Sequence, residues 1–300
     1  MTIRAARVSD LDDMWSIFRA VVATGDTYAF APETSRSVAD EYFLGSEIVS
    51  FVAEVEGRVV GMYKLVANRG DLGAHIANAS FMVDPGIEGR GIGSMLGHHC
   101  LQQARARGYS AMQFNFVVST NTRAVALWTR LGFAIIATLP GAFQHSQRGR
   151  VDAYVMSRSL EDIVPVFGTP SDRQPPITRP SAYAIVYDDR GRVVVVHARE
   201  GTLLPGGGLD PGETADAAAV RETAEECALE VRVVRPRGAA VQFVQSRATL
   251  ECFEKQSTFV EAAVVSAISG AHPEHEVQWL SPAAARWALT YESHRWALNT

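Results

Sequence analysis

The sequence predicts two domains of mixed class, α+β or α/β, joined by a proline-rich segment. Three observations carry this. The chain has 300 residues, where one core ordinarily supports about 100–200. Short apolar or alternating runs interchange with segments of helical spacing on both sides of the middle. Between Pro165 and Pro180, five prolines fall in 16 residues. Proline removes a backbone donor and restrains its predecessor to extended conformations, so helix is disfavoured there. The expected division is residues 1–160, a semi-rigid extended linker over 161–180, and residues 181–300.

In the first part, Ile3–Ala6 reads as a strand. Asp10–Ala23 reads as a helix with Ser9 as its cap, because Leu11, Met14, Trp15, Ile17 and Phe18 recur at helical spacing. Val49–Glu54 and Arg58–Val66 form a hairpin about Glu56-Gly57. His75–Val83 is a strand, and Gly91–Arg107 a helix stopped by Gly108. Met112–Val117 is a strand, Thr122–Leu131 a helix, and Phe133–Thr138 and Val151–Ser157 are strands. In the second part, Ser181–Tyr187 and Val193–Ala198 flank a turn at Asp188–Gly191. Ala215–Ala228 is a helix, then Leu229–Arg235, Ala240–Gln245 and Phe259–Ser266 are three strands. Ser281–Trp287 begins a helical end.

Composition excludes several classes. Hydrophobic residues make up 47% and charged residues 20%, as in a globular protein. A net charge of −5 leaves no basic footprint for nucleic acid. Small anions remain open as ligands, because backbone amides bind phosphate without net charge. MTIRAARVSD carries no signal-peptide core, and no apolar run reaches the ~20 residues of a membrane helix. The expectation is a cytoplasmic protein away from membranes. Cys100, Cys227 and Cys252 form no C-x-x-C pair and are expected as reduced, apolar fillers. Oligomeric state is not legible.

The densest motif runs from Gly207 to Leu229. Glu222, Glu225 and Glu226 stand at i, i+3 and i+4 of a helix, so three carboxylates share one face and repel one another. A hard divalent cation suits such oxygens, and Arg221, four residues before Glu225, screens part of the charge. Gly206, Gly207, Gly208 and Gly212 permit the turns that return Glu213 to the helix. Gly207, Glu213, Arg221, Glu222, Glu225, Glu226 and Leu229 match the Nudix signature, G-x5-E-x7-R-E-U-x-E-E-x-G-U with U a bulky aliphatic residue, at every spacing. Thr223 departs from an aliphatic position and Ala228 from the late glycine. This resemblance implies an α/β/α sandwich that hydrolyses a pyrophosphate linkage in a nucleoside diphosphate-type substrate. It implies that Glu222, Glu225 and Glu226 coordinate Mg²⁺ or Mn²⁺ and that Arg221 and Glu213 orient them. Glu225, Glu226 or a later glutamate such as Glu261 or Glu276 would act as the base. Leu204-Pro205 and Arg199 are expected to line the substrate pocket.

A second motif lies at residues 81–96, a strand, a glycine loop and a helix. Amides at such a helix start converge on an anion, and glycines let a pyrophosphate approach. Glu88, Gly89, Arg90, Gly91, Ile92 and Gly93, followed by Ser94, fall on the R/Q-x-x-G-x-G/A motif of the GNAT N-acetyltransferases. Asn121, Ala124, Leu127, Trp128, Gly132 and Phe133 fall on a second motif of that family. Residues 1 to about 160 thus resemble GNAT domains, which implies a mixed sheet with flanking helices that binds acetyl-CoA and acetylates a small-molecule amine acceptor. Amides of Glu88 to Ser94 would hold the pyrophosphate, Met82 and Val83 would pair with the pantetheine arm, and Asn121 would complete the cofactor site. Glu88 replaces the usual Arg or Gln, and Trp128 the tyrosine that many members use to protonate the thiolate; an indole N–H is no useful acid. Tyr28, Phe30, Glu33 and His75 are candidate acceptor contacts. His98 and His99 point apart on one helix, against a joint metal site.

The leading expectation is a fused N-acetyltransferase and pyrophosphohydrolase. One alternative is a hydrolase whose front domain only senses acetyl-CoA. Another, a second half that cleaves the pyrophosphate of CoA itself, has no added motif upstream of Gly206 to support it.

Overall fold

The computed structural model describes residues 1–87, 89–171, 174–246 and 251–299. Contacts divide the chain into Met1–Ile163 and Val164–Thr300. The first unit runs β1 (Thr2–Ala5), α1 (Leu11–Val22), α2 (Arg36–Leu44), β2 (Val49–Val55), β3 (Arg58–Ala67), β4 (Ile76–Val83), α3 (Ile92–Ala106), β5 (Ala111–Val118), α4 (Thr122–Arg130), β6 (Ala134–His145) and β7 (Gly149–Ser159). Its seven strands lie in the order β1-β2-β3-β4-β5-β7-β6. Only β4 and β5 are parallel; the other pairs are antiparallel.

Strand alternation sends neighbours to opposite faces. Val52, Met62 and Met82 meet Met14, Ile17, Phe18 and Phe43 of α1 and α2 on one face. Tyr63 and Leu65 meet Leu96, Cys100, Trp128 and Leu131 of α3 and α4 on the other. The expected hairpin turn forms with Glu56 and Gly57 both at positive φ, 51° and 79°, as a twisted two-residue turn requires. Helix α2 was not foreseen: only Ala39 and Phe43 are buried in it, too few for a clear period. Ser9 does not cap α1. It lies in a 3₁₀ turn, and Asp10 occupies the cap and accepts from the Arg7 amide at 2.7 Å.

The second unit runs β8 (Val166–Phe167), β9 (Ile177–Tyr187), β10 (Val193–Ala198), β11 (Gly201–Leu203), β12 (Gly206–Gly208), α5 (Ala215–Cys227), β13 (Leu229–Gln245), β14 (Cys252–Ala267), β15 (Glu276–Leu280), α6 (Pro282–Ala288) and α7 (Glu292–Ala297). The sheet follows β11-β10-β9-β14-β13-β8, with β12 also on β9 and β15 on β10. The segment 161–180, expected as a linker, contributes to this sheet. Val166–Phe167 pairs in parallel with Val241–Gln242, and β9 starts at Ile177 and continues through Pro180. The prolines exclude helix but not strand, because the Pro180 carbonyl still accepts from the Leu209 amide. The expected strands 229–235 and 240–245 are one strand, interrupted by register shifts near Val231, Arg235 and Gly238. Bulges absorb Pro236 and Gly238, which read as a break in sequence.

Helix α5 ends with Ala228 at φ 54°, the left-handed position where the Nudix signature carries glycine. Alanine is strained there. Ala228→Gly is expected to stabilise the protein by roughly 0.5–1 kcal/mol, measured by urea unfolding; an unchanged or lower midpoint contradicts this account of the helix end. All three cysteines are buried and free, and no helix among the described residues is long and apolar enough to cross a membrane.

Candidate active sites

In the first unit, β4 and β5 pair only at Ile76–Ala111 and Ala77–Met112 and then part. The direction of the free edge follows from the β3–β4 ladder. Asp84 N donates to Val60 O, and Asn68 N to Ile76 O. In an antiparallel ladder residues alternate, so even-numbered residues of β4 face β3 and Ala79, Phe81 and Val83 direct their backbone groups into the gap. Of the two strand residues expected at the pantetheine arm, Val83 therefore directs its backbone groups into the gap and Met82 does not, whereas those of Phe81 do. The carbonyl of Phe81 accepts from Tyr28 Oη at 2.6 Å.

The gap opens into a cavity of about 320 Å³ lined by Tyr28, Phe30, Tyr42, Phe81, Asn121 and Trp128, among others. Trp128, 7% exposed, packs in the wall with ring centroids 4.7 Å from Phe81 and Phe114, tilted 47° and 55° to them. Asn121 caps α4 by accepting from Ala124 N at 3.1 Å, which holds its carboxamide in the cavity wall. An amide cluster that sequence reasoning missed, Asn78 and Asn115 both donating to Asn68 Oδ1, ties β4 to β5 beside it. Glu33 and His75 lie outside the lining; His75 sits on Leu72 O instead. His98 is exposed while His99 Nδ1 meets the Tyr63 hydroxyl at 2.7 Å, so the two do diverge.

The glycine loop enters α3 with Gly89 at φ 82° and Gly91 at φ 78°. The first-turn amides of α3, from Ile92 to Ser94, follow Gly91 and have no intrahelical partner to spare. Glu88 lies outside the described residues, and Arg90 is exposed. An open strand edge, a loop of left-handed glycines and a free helix start together fit an extended thioester cofactor with a pyrophosphate.

In the second unit, Arg221 is the hub. Its guanidinium holds Glu213 in two bonds of 2.9 Å, reaches Glu222 Oε1 at 3.0 Å and Glu225 Oε2 at 3.2 Å, and donates to Gly208 O. Glu213 also accepts from Asp210 N. The Arg221 bonds, then the Asp210 amide, hold the Glu213 carboxyl below its ordinary value. Gly207 has a direct steric reason: a Cβ there would come within 2.5 Å of Glu222 Oε1. Glu226 is 9% exposed, and its Oε2 accepts from Gly206 N at 2.9 Å. Burial pushes its carboxyl up to about 7, with Glu222, Glu274 and Glu225 adding to the rise. Burial also raises Glu222, against the pull of Arg221.

Glu222 and Glu226 are thus crowded oxygen donors with excess negative charge, chemistry that suits a divalent cation. Arg221 now bridges Glu222 and Glu225, and among the described residues no three such groups converge closely enough to enclose an ion. A cavity of about 160 Å³ adjoins Glu226, Gly206 and Gly207. Two residues there were missed. His275 Nε2 lies 3.4 Å from Glu226 Oε1, and Glu274 N donates to Glu225 O. Glu261 is instead held by Arg235 and Arg237, and Glu276 is exposed on β15, so the loop groups beside the box are Glu274 and His275. Leu204 is fully buried; Arg199 lines an adjoining cavity.

Comparison with known proteins places both halves. Residues 12–133 match the model of the Acetyltransferase (GNAT) family, and residues 177–298 that of the NUDIX domain. The N-acetyltransferase aca1 of Schizosaccharomyces pombe is 26% identical over 161 residues, 47% of this chain and 77% of that protein. A GCN5-related N-acetyltransferase structure from Kribbella flavida is 39% identical, covers 53% of this chain and 96% of its own, and superposes with a TM-score of 0.51.

Proposed function

We propose, from the premise that the chain belongs to the GNAT acetyltransferase family through its first half and carries a NUDIX hydrolase domain in its second, that it couples two activities in one polypeptide. One is acetyl transfer from acetyl-CoA to a small amine. The other is Mg²⁺- or Mn²⁺-dependent hydrolysis of a nucleoside diphosphate-type substrate. The observation that supports this best is that each motif lines a cavity, Phe81, Asn121 and Trp128 in one half and Gly206, Gly207 and Glu226 in the other.

For hydrolysis, Glu222, Glu225 and Glu226 would hold the cation, which supplies neutralisation of phosphate charge and acidification of a water. Arg221, braced by Glu213, fixes the helix face and turns Glu222 and Glu225 toward a common point. Glu226, fixed by the Gly206 amide, is placed to accept the proton from water, with His275 beside it. The test is a screen of nucleoside diphosphate-linked compounds with Mg²⁺, in which the phosphomonoesters formed are read by phosphate release after phosphatase addition; no turnover of any of them removes this half.

For transfer, the amides of Phe81 and Val83 pair with the cofactor arm and one polarises the thioester carbonyl. The amine attacks that carbon directly, and the thiolate takes its proton from water, since Trp128 has no acidic proton to give. Tyr28 and Tyr42 line the same cavity, but burial raises both phenols above their ordinary value, so neither serves as a base near neutrality. The described lining includes no carboxylate, imidazole or amine. The acceptor must then arrive neutral. With acetyl-CoA saturating and total amine fixed, log kcat/KM is expected to rise by about one per pH unit up to the acceptor's own pKa. A plateau below that pKa would reveal a protein base.

That uncharged lining also favours a second reading, in which the first half binds acetyl-CoA and transfers nothing. Calorimetry with acetyl-CoA beside a thiol-release screen over many amines separates the two: binding without release selects the sensor.

A further inference from the structure

Two cavities of the second unit share a wall. The smaller, about 160 Å³, touches Glu226 and the glycine strand; the larger, about 480 Å³, lies beyond it. Arg179, Glu200 and Lys255 line both. The larger volume is in the range of small-molecule sites.

Lys255 is half-buried on β14 and its ammonium is poorly satisfied. It has three donors. One reaches the buried Tyr183 hydroxyl at 3.3 Å, and the ammonium stands 5.0 Å from the Tyr291 ring centroid. Among the described residues it forms no ion pair; Glu200, on the same wall, is exposed and does not close on it. Burial depresses its ionisation from the ordinary lysine value, Arg179 adds to the fall, and Glu200 and Glu226 offset it only in part. Arg179 stands at the rim, its guanidinium 4.2 Å above the Phe253 ring. A half-buried cation with no anion in direct contact is unfavourable unless a ligand supplies one. The sheet imposes the arrangement, because β9 and β14 run parallel with Arg179 opposite Lys255.

We infer that Lys255, assisted by Arg179, is an anion subsite at the junction of the two cavities. It takes a phosphate of a diphosphate-linked substrate on the side away from the carboxylates, and the organic part of that substrate occupies the larger cavity between Phe253 and Tyr291. This rests on the hydrolase reading only for the identity of the substrate; the anion site itself does not. A phosphate at the junction would face Lys255 and Arg179 on one side and the Glu222–Glu226 face on the other. That is the polarity needed to hold one end of an anhydride while the other is attacked.

The test uses the full chain in chelator, titrated calorimetrically with methylenediphosphonate, a pyrophosphate that cannot be hydrolysed. Wild type is expected to bind, Lys255→Gln to bind about tenfold or more weakly, and Arg179→Gln to be intermediate. Ligand-free Lys255→Gln is expected to melt at the same temperature as wild type or higher, because an unpaired cation is removed. A lysine that is only structural gives the reverse, a lower melting point with binding intact. Undiminished binding by Lys255→Gln, or no binding by wild type, overturns the subsite. Glu222→Gln separates the two ideas, since it removes hydrolysis and keeps probe binding. Binding that depends on Lys255, in a protein that hydrolyses nothing, sinks the hydrolase and leaves the subsite. Hydrolysis with unaltered KM in Lys255→Gln does the opposite.

Discussion

Glu226→Gln is expected to lose hydrolysis by roughly 10²–10⁴-fold and at the same time to make the metal-free protein more stable at pH 8. Both follow from one environment. The carboxyl is 9% exposed, is pushed up to about 7 chiefly by burial, and has Glu222, Glu225 and Glu274 as like-charged neighbours. An unfolded glutamate titrates near ~4.3. Between these values the unfolded chain has already released the proton that the folded chain still holds. Stability from this group therefore falls as pH rises from about 4 to about 7 and stays low above. The ceiling of the loss is about 4 kcal/mol. Glutamine removes the titration and keeps an oxygen for the Gly206 amide, now 2.9 Å from Glu226 Oε2. Urea unfolding in chelator at pH 5 and pH 8 tests it: the wild-type midpoint falls between the two and the variant's changes less. Added Mg²⁺ should stabilise wild type and do less for the variant. Parallel pH dependences would show that the carboxyl is not the strained group.

That trade also explains what was legible in the sequence and what was not. Glu213, Arg221, Glu222, Glu225 and Glu226 could be placed because a helix period and a glycine turn are local codes, and Arg221 does join Glu213 to the helix face. Gly207 could be named, but its reason, the 2.5 Å approach to Glu222, is a tertiary fact. The rest of the site comes from pairing across the sheet. Lys255 meets Tyr183 over 72 positions, and Arg179 opposes Lys255 through a parallel ladder that no local pattern announces. His275 reaches Glu226 from a loop, where sequence reasoning had looked to Glu261 and Glu276 on strands. In the first half, the direction of the free edge of β4 was out by one residue for a similar reason. Side-chain alternation is visible in sequence, whereas the ladder that decides whether Met82 or Phe81 faces the gap is not. The prolines of 165–180 argue locally against helix, and nothing local in them shows that Val166–Phe167 and Ile177–Pro180 find sheet partners.

Gly91 is where backbone conformation alone is expected to govern cofactor affinity. It caps α3 at φ 78° and ψ 2°, and apart from its own chain neighbours no atom of the described residues lies within 4 Å of where a Cβ would stand. A side chain there meets only the left-handed penalty and whatever occupies the space in front of the helix. That penalty is about 1–2 kcal/mol for an ordinary residue, larger for a β-branched one and smallest for asparagine. The free loop can relieve the strain by turning away; a bound pyrophosphate demands the original conformation, so the penalty appears in binding. Gly91→Val is therefore expected to raise the KM for acetyl-CoA at least about tenfold. Gly91→Ala should fall between valine and wild type, and Gly91→Asn should stay within a few-fold. Valine and asparagine differ far more in their tolerance of positive φ than in size. An ordering of valine, alanine, asparagine thus assigns the effect to the backbone, and equal damage from valine and asparagine assigns it to a clash with the bound cofactor. Binding by all three as tight as wild type would remove the loop from the cofactor site. Hydrolysis rests on residues with their own core and does not report on this half, so a thermal unfolding transition matching that of wild type is what shows each variant folded.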